Sequence, residues 1–393
     1  MAKIRLMHLT YDLSVSGLER VVVTICRTID RERFEPFVLT MRGRGPLANE
    51  LEAMGVTVLD IGQLEDAADY LAFWRVAREL RRHRIDVLHT HNSLALFDGF
   101  VAARLSGIRS HVHTDHGRNF PDKRRYMMAE RFTSYFVSQL VAVSDHSRAN
   151  LIHYEKIAPG RILTIPNGVI ANPATLTTRA SDTRTQLGIG DGPVVGFIAR
   201  LYEQKGAIYL LQALVKLRNM MPGVIVLMAG SGILEASLKQ ASVDLGVQDN
   251  VRFLGTRSDV PELLQVFDVF AIPSIWEGLP MSLLEALGWG CPVVATDVGG
   301  MSAVLKHRQN GSLVPPRDPD ALANELAAVL SSPELRQRYR EHGLRTFAQD
   351  YSAEIMTRRY EDLYLEAHGR HGRRARSAAT RATDARREMV QLG

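Results

Sequence analysis

Two glutamates eight residues apart, Glu277 and Glu285, lie in the segment that runs from Ile272 to Leu287. An apolar strand is predicted to end near Ile272, with a polar turn after it and a helix whose first position is Pro280. The N–H groups of Met281, Ser282 and Leu283 would then project from a helix start, which is a ready place for an anion. Glu277 falls on the loop and Glu285 on the second turn, on the face of Met281. Two carboxylates at different depths can accept hydrogen bonds from hydroxyls on two parts of one long ligand, such as a sugar and a ribose. A glycosidase also uses two carboxylates, and a capped helix carrying a solvated glutamate would read the same.

The second cluster is Arg200 and Lys205, on the turn between the apolar run Val194–Ala199 and Gly206. A guanidinium can fork onto phosphate oxygens and an ammonium can supply a point charge. Each such contact is worth about 1.5–3 kcal/mol. A surface salt bridge is the plain alternative. The histidines His89, His91, His111, His113 and His116 form two His-x-His pairs on predicted strand ends, able to share a face. Zinc accepts such ligands, but no cysteine and no evident carboxylate joins them. They read better as polar strand-end residues or as contacts to a sugar or acceptor.

The elements that must position these residues alternate. Strands are predicted at Ile4–Leu9, Phe37–Thr40, Val56–Asp60, Asp86–His89, His111–Thr114 and Leu140–Ser144, with helices at Leu18–Ile29, Leu71–His83 and Leu94–Leu105. A second series of strands follows at Val194–Ala199, Val224–Ala229, Val251–Leu254, Val269–Ile272, Val293–Thr296 and Gly311–Val314, again with helical runs between. The alternation implies α/β architecture, with two doubly wound parallel sheets in tandem. Residues 169–183 lack periodicity and suit a linker, and the last regular segment, Leu335–Ala367, is predicted to be helical. Ligands of such sheets bind beyond the carboxyl ends of the strands, and with two domains the expected place is the cleft between them.

The chain has 393 residues, 46% apolar and 23% charged, enough for two full cores. Its two cysteines, Cys26 and Cys291, fall in different halves, which fits a reducing compartment and not a disulfide scaffold. No secretion signal opens the chain and no run of apolar residues is long enough to span a membrane, so a cytoplasmic protein is expected. The first 180 residues carry 24 Lys/Arg against 19 Asp/Glu, and the tail from residue 367 carries seven Arg against two acids. No nucleic-acid recognition motif accompanies that charge, so nucleic acid is not an expected partner. An anionic membrane surface suits it better, with Lys123-Arg124-Arg125-Tyr126-Met127-Met128 as the contact.

Ala199–Gly206 and Glu277–Glu285, followed by residues 286–300 ending in Gly299-Gly300, together resemble the retaining glycosyltransferases of family 4. These have the GT-B fold of two Rossmann-like domains facing a cleft. The resemblance covers about residues 1–366. It implies that Glu277 contacts the transferred sugar, Glu285 the ribose, and Arg200 and Lys205 the diphosphate. Ser16-Gly17-Leu18-Glu19-Arg20 matches a family loop in which Gly17 lets backbone approach the donor phosphates, although relatives commonly have glycine where Ser16 stands. His113-Thr114-Asp115-His116-Gly117 is similar to the family's His-Gly turn, which implies His116 beside the donor sugar. Gly230 would lie in a loop near the nucleotide, and Leu254 at a strand end whose backbone meets the base.

The resemblance implies an acceptor-side domain at 1–170, a linker at 171–183 and a nucleotide-sugar domain at 184–345. A helix at 346–367 would return to the first domain, and the tail at 368–393, outside the resemblance, is Arg/Ala/Thr-rich with weak periodicity and is expected to be disordered or a contact arm. The expected reaction is retaining transfer of a sugar from a UDP-sugar or GDP-sugar, without metal or other cofactor. The acceptor would be a glycan or lipid-linked glycan, in bacterial exopolysaccharide or glycolipid assembly. A nucleotide-sugar epimerase or phosphorylase, or a non-catalytic sugar-nucleotide-binding subunit, are the alternatives.

Overall fold

The computed structural model describes residues 3–62, 69, 71–117, 120–171 and 176–369. The chain divides into two compact units. One comprises Met1–Val143, Ser147–Ile165 and the chain from Met356; the other comprises Ser144–His146 and Pro166–Ile355.

The first unit is built on seven parallel strands: β1 (Ile4–Thr10), β2 (Phe34–Thr40), β3 (Thr57–Asp60), β4 (Val87–His91), β5 (Ser110–Asp115), β6 (Gln139–Ala142) and β7 (Ile162–Thr164). Their order is β3-β2-β1-β4-β5-β6-β7. The second unit holds β8 (Val194–Ile198), β9 (Ile225–Ala229), β10 (Val251–Gly255), β11 (Val269–Ile272), β12 (Val293–Thr296) and β13 (Ser312–Val314), in the order β10-β9-β8-β11-β12-β13. Both are the doubly wound parallel sheets predicted. The inner strands are near-continuous buried runs because helices cover both faces, while the edge strands β3, β7 and β10 are partly exposed. Within β8, Gly196 makes room for a neighbour: a Cβ there would lie 2.0 Å from the Phe267 ring.

Both sheet orders reverse once, between β1 and β4 in the first unit and between β8 and β11 in the second. At such a reversal the loops leaving adjacent strands diverge to opposite faces and open a crevice at the carboxyl ends. Gly17 follows β1, Arg200 and Lys205 follow β8, and Glu277 follows β11, while His116 follows β5 and Gly230 and Leu254 lie at the ends of β9 and β10.

The segment 335–367 is helical as expected, in two pieces: a helix covers Pro333–Asp350, and another covers residues 353–369. The break occurs because Val169 captures the chain, its N–H donating to Tyr351 O (3.0 Å) while Ala353 N–H donates to Val169 O (2.9 Å). The segment 171–183 is not linker throughout, since a helix begins at Ala180 and Thr177 is tied to Glu262 by its N–H and hydroxyl. Residues 166–170 and 346–355 pack in the second unit, not the first. Most of the basic tail lies outside the described residues, as do residues 172–175.

Both cysteines are free and buried, and burial pushes the Cys26 thiol up to about 12.

Candidate active site

In the second unit the strands flanking the reversal deliver the two clusters. Arg200 to Lys205 follow β8, and Ser274 to Glu277 follow β11. Lys205 Nζ donates to Glu277 Oε1 at 2.5 Å. Ser274 Oγ donates to the same oxygen at 2.8 Å. Glu277 is therefore held from two sides while buried, its side chain 5% exposed and that of Lys205 18%. Both bonds converge on Oε1, which leaves Oε2 without a protein partner among the described residues. Ser274 is itself fixed, because Thr296 Oγ1 donates to its carbonyl at 2.5 Å.

Backbone contacts lock the two loops together. Ile275 N–H donates to Gln204 O at 2.8 Å, and Gln204 Nε2 donates to Trp276 O at 3.2 Å. Gly206, at φ +64, lies so near Pro273 that a Cβ would meet its carbonyl oxygen at 1.9 Å. Arg200 is exposed on the same turn, its guanidinium 5.2 Å from the centre of the Tyr202 ring.

The helix after Glu277 spans Met281–Gly288, with Pro280 as its N-cap and not its first residue. Leu283 N–H donates to Pro280 O at 3.2 Å, so of the three N–H groups expected to be open, that one is used within the first turn. Met281, Ser282 and Glu285 are half-buried, and the Leu283 side chain is fully buried.

Gly230 and Leu254 come together at the ends of β9 and β10. Gly230 N–H donates to Gly255 O at 2.7 Å, and the hydroxyls of Ser231 and Thr256 share a hydrogen bond at 2.8 Å. Leu201 N–H donates to Ser231 O at 2.9 Å and ties this edge to the Arg200 turn.

In the first unit Gly17 starts a helix, Gly17–Thr28, one residue earlier than predicted. Ser16 is its N-cap, with its hydroxyl on the Glu19 carboxylate. The Ser-x-x-Glu signature of a helix start was there to be read. The loop before it is pinned by the turn after β2, where Arg42 N–H donates to Tyr11 O at 2.7 Å.

The two His-x-His pairs do not share a face. His89 and His91 lie on one side of the sheet with His8 of β1, which pairs with His89 across the β1–β4 ladder. His89 Nδ1 is 2.7 Å from the Tyr364 hydroxyl, and its Nε2 is 2.8 Å from Thr114 Oγ1. His111 and His113 lie on the other side, each 2.9 Å from Thr90 Oγ1, with His113 Nε2 3.4 Å from Glu130 Oε1. The reason is strand parity, since the β4–β5 ladder pairs Thr90, not His89 or His91, with His113. His116 lies beyond β5, its Nε2 2.9 Å from His91 Nδ1 and its N–H donating to Asn92 Oδ1 at 3.3 Å. His8, His89 and His91 bring one ligand atom each within 4.8 Å of one another, the one such group among the described residues. Both nitrogens of His89 and both of His91 are already hydrogen-bonded, one of them to His8 itself, so a cation could enter only by breaking those bonds.

The structure thus joins Lys205 to Glu277, Gly230 to the strand end carrying Leu254, and His116 to His91. Sequence reasoning missed Ser274, whose position directly after a strand end was the available signal. It also missed His8, visible only once β1 is placed beside β4. The packing role of Gly299 and Gly300 was missed too. Gly300 N–H donates to Gly278 O at 2.8 Å, and a Cβ on Gly299 would lie 1.8 Å from Glu277 O.

Two doubly wound parallel sheets, each with one reversal of strand order, define a class of α/β proteins whose fold solved structures share. A glycosyltransferase from Rickettsia africae aligns with a TM-score of 0.81 at 20% identity, over 93% of this chain and 99% of that one. Anabaena HepE in complex with UDP aligns with a TM-score of 0.79 at 22% identity, over 92% and 99%. The fold is GT-B. In sequence, the family Glycosyltransferase Family 4 matches residues 15–172, and Glycosyl transferases group 1 matches residues 180–346. The D-inositol 3-phosphate glycosyltransferase of Saccharomonospora viridis is 31% identical over 72% of this chain and 70% of its own length. The UDP-Gal:alpha-D-GlcNAc-diphosphoundecaprenol alpha-1,3-galactosyltransferase of Escherichia coli is 28% identical over 84% and 88%. The chain belongs to the family-4 glycosyltransferases of the GT-B fold, and it is an enzyme of glycosyl transfer.

Proposed function

We propose that this enzyme moves a sugar, with retention of anomeric configuration, from a UDP-sugar to a lipid-linked glycan in bacterial polysaccharide assembly. The observation that carries the reading is Lys205 bonded to the buried Glu277 where β8 and β11 release their loops. The UDP held by the Anabaena neighbour and the diphosphoundecaprenol acceptor named for the Escherichia coli relative support the donor and acceptor classes.

The bond between the anomeric carbon and the diphosphate oxygen breaks, and its electron pair goes to the leaving oxygen. Arg200, Lys205 and the N–H groups at Met281 and Ser282 meet the charge that develops there, a preorganised electrostatic role. Glu277 Oε2 accepts a hydrogen bond from a sugar hydroxyl, and Glu285 one from the ribose. The acceptor hydroxyl attacks the anomeric carbon from the face the diphosphate leaves, and its proton passes to the departing phosphate. Product NMR is expected to show the donor's anomeric configuration. An inverted product would end this mechanism, and turnover driven by inorganic phosphate in place of an acceptor would favour a phosphorylase.

The first unit is assigned the acceptor. Its helix Arg124–Ser134 exposes Met128 and Phe132, with Tyr135 and Phe136 just beyond it and exposed Lys123, Arg124, Arg125 and Arg131 around them. Arg104 spreads over the rings of Phe100 and Phe136, at 5.4 and 5.7 Å. Aromatic and basic residues mixed on one surface suit an anionic lipid interface. No helix among the described residues is long and apolar enough to cross a membrane. Flotation with phosphatidylglycerol vesicles is expected to carry the protein at low salt and release it at high salt. Absence of binding at low salt would remove the membrane surface from this reading.

A further inference from the structure

His8, His91 and His116 are joined end to end. His8 Nδ1 lies 3.0 Å from His91 Nε2, and His91 Nδ1 lies 2.9 Å from His116 Nε2. The row begins on β1, passes through the end of β4 and finishes in the turn after β5, crossing the reversal of the first sheet. Both terminal nitrogens, His8 Nε2 and His116 Nδ1, are enclosed and have no partner among the described residues. Burial pulls His8 and His116 down to about 3 and holds His91 well below its ordinary value. All three rings are therefore neutral near pH 7.

A neutral imidazole has one N–H and one lone pair. Three of them in a row hold three protons, and each of the two links needs one. Only two arrangements satisfy both links. In the first, every ring carries its proton on Nδ1: His8 donates to His91, His91 donates to His116, and the unpartnered Nδ1 of His116 carries an N–H. In the second, every ring carries its proton on Nε2: the links run the other way, and the unpartnered Nδ1 of His116 is a bare lone pair.

We propose that His8 and His91 are positioning residues whose shared hydrogen bonds set the tautomer of His116, so that its Nδ1 meets a ligand either as donor or as acceptor. A phosphate oxygen there selects the all-Nδ1 row, whereas a sugar or acceptor hydroxyl that needs to donate selects the all-Nε2 row. The identity of that ligand rests on the function proposed above; the coupling of the three rings does not.

The test is nitrogen-15 NMR of histidine-labelled protein, which reads the protonated nitrogen of each ring. The wild type is expected to show His8, His91 and His116 in one common tautomer. A different tautomer on any of the three overturns the proposal without need of a variant. In His8→Leu, the His91 Nε2 partner is lost, and the tautomer populations of His116 are expected to change by more than twofold. His8→Asn, whose amide can replace Nδ1 as donor or acceptor, is expected to restore them. Unchanged His116 populations in folded His8→Leu also overturn it. In turnover, His8→Leu is expected to lower kcat about tenfold with the KM for UDP-sugar within twofold, and His8→Asn to recover it. If the rings share a tautomer while His116→Ala retains full kcat, the row stands and the placement of His116 beside the reacting sugar fails.

Discussion

Replacing Lys205 with alanine is expected to lower kcat/KM by at least about 10²-fold and to lower the melting temperature as well. The two losses have different causes. Lys205 is the cationic partner of Glu277, whose side chain is 5% exposed, and removing it leaves that carboxylate with Ser274 as its remaining side-chain partner. Stranding a buried charge costs about 3–5 kcal/mol, and the 18% exposure of Lys205 places this pair near the lower figure. The double variant Lys205→Ala/Glu277→Ala removes both charges, so most of the stability should return while turnover stays low. Arg200→Ala tests the other half of the diphosphate grip without touching the fold. Arg200 is exposed, so its loss should leave the melting temperature within error and still lower kcat/KM about 10²-fold. Steady-state kinetics beside thermal melts separate these outcomes. Near-normal turnover in both Lys205→Ala and Arg200→Ala would mean that the diphosphate is held elsewhere. Glu277→Ala complements them: kcat should fall further than UDP affinity, because its free oxygen is assigned to the sugar.

Hydrophobic periodicity was enough to show two parallel α/β sheets, since covered strands must be apolar throughout and the helices between them must be amphipathic. Strand ends were legible to within a few residues, and that sufficed to place Arg200, Lys205 and Glu277 on loops leaving β8 and β11. What local pattern could not carry was contact between segments distant in sequence. Lys205 and Glu277 are 72 residues apart, and only the pairing of β8 with β11 makes their loops neighbours. Spacing could suggest separate tasks for them but not their ion pair. The histidines failed for a related reason. His89 and His91 against His111 and His113 look equivalent in sequence, but the register of β4 on β5 sends them to opposite faces, and no property of either strand alone fixes a register. The helical segment predicted over residues 335–367 had good periodicity on both sides of its break, so the break itself was not legible. Val169, some 180 residues earlier, interrupts it by taking up the backbone groups of Tyr351 and Ala353.

Gly299→Ala is expected to reduce kcat about 10²-fold or more while leaving UDP affinity nearly unchanged. Gly299 has φ +58, where an added Cβ is strained by about 1–2 kcal/mol. Strain alone would not harm the chemistry. The added atom, however, would lie 1.8 Å from the carbonyl oxygen of Glu277 and 2.7 Å from its carbonyl carbon. Backbone cannot rotate aside as a flexible side chain can. The two loops must separate, and the hydrogen bond from Gly300 to Gly278 that holds them resists the movement. The group displaced is the carboxylate assigned to the sugar, and a shift of about 1 Å at such a group can cost 10²-fold in rate. Gly230 and Leu254, which the family resemblance implies lie near the nucleotide, sit at the ends of β9 and β10 and should keep their places. Gly55→Ala supplies the control. Its φ is +73, but a Cβ there meets nothing within 4 Å, so it carries the backbone penalty without the collision. Gly55→Ala should therefore lose stability and keep its kcat. If the two alanine variants lose turnover equally, the contact between the Gly299 turn and Glu277 has no part in catalysis. If only Gly299→Ala falls, the position of the Glu277 loop limits the rate.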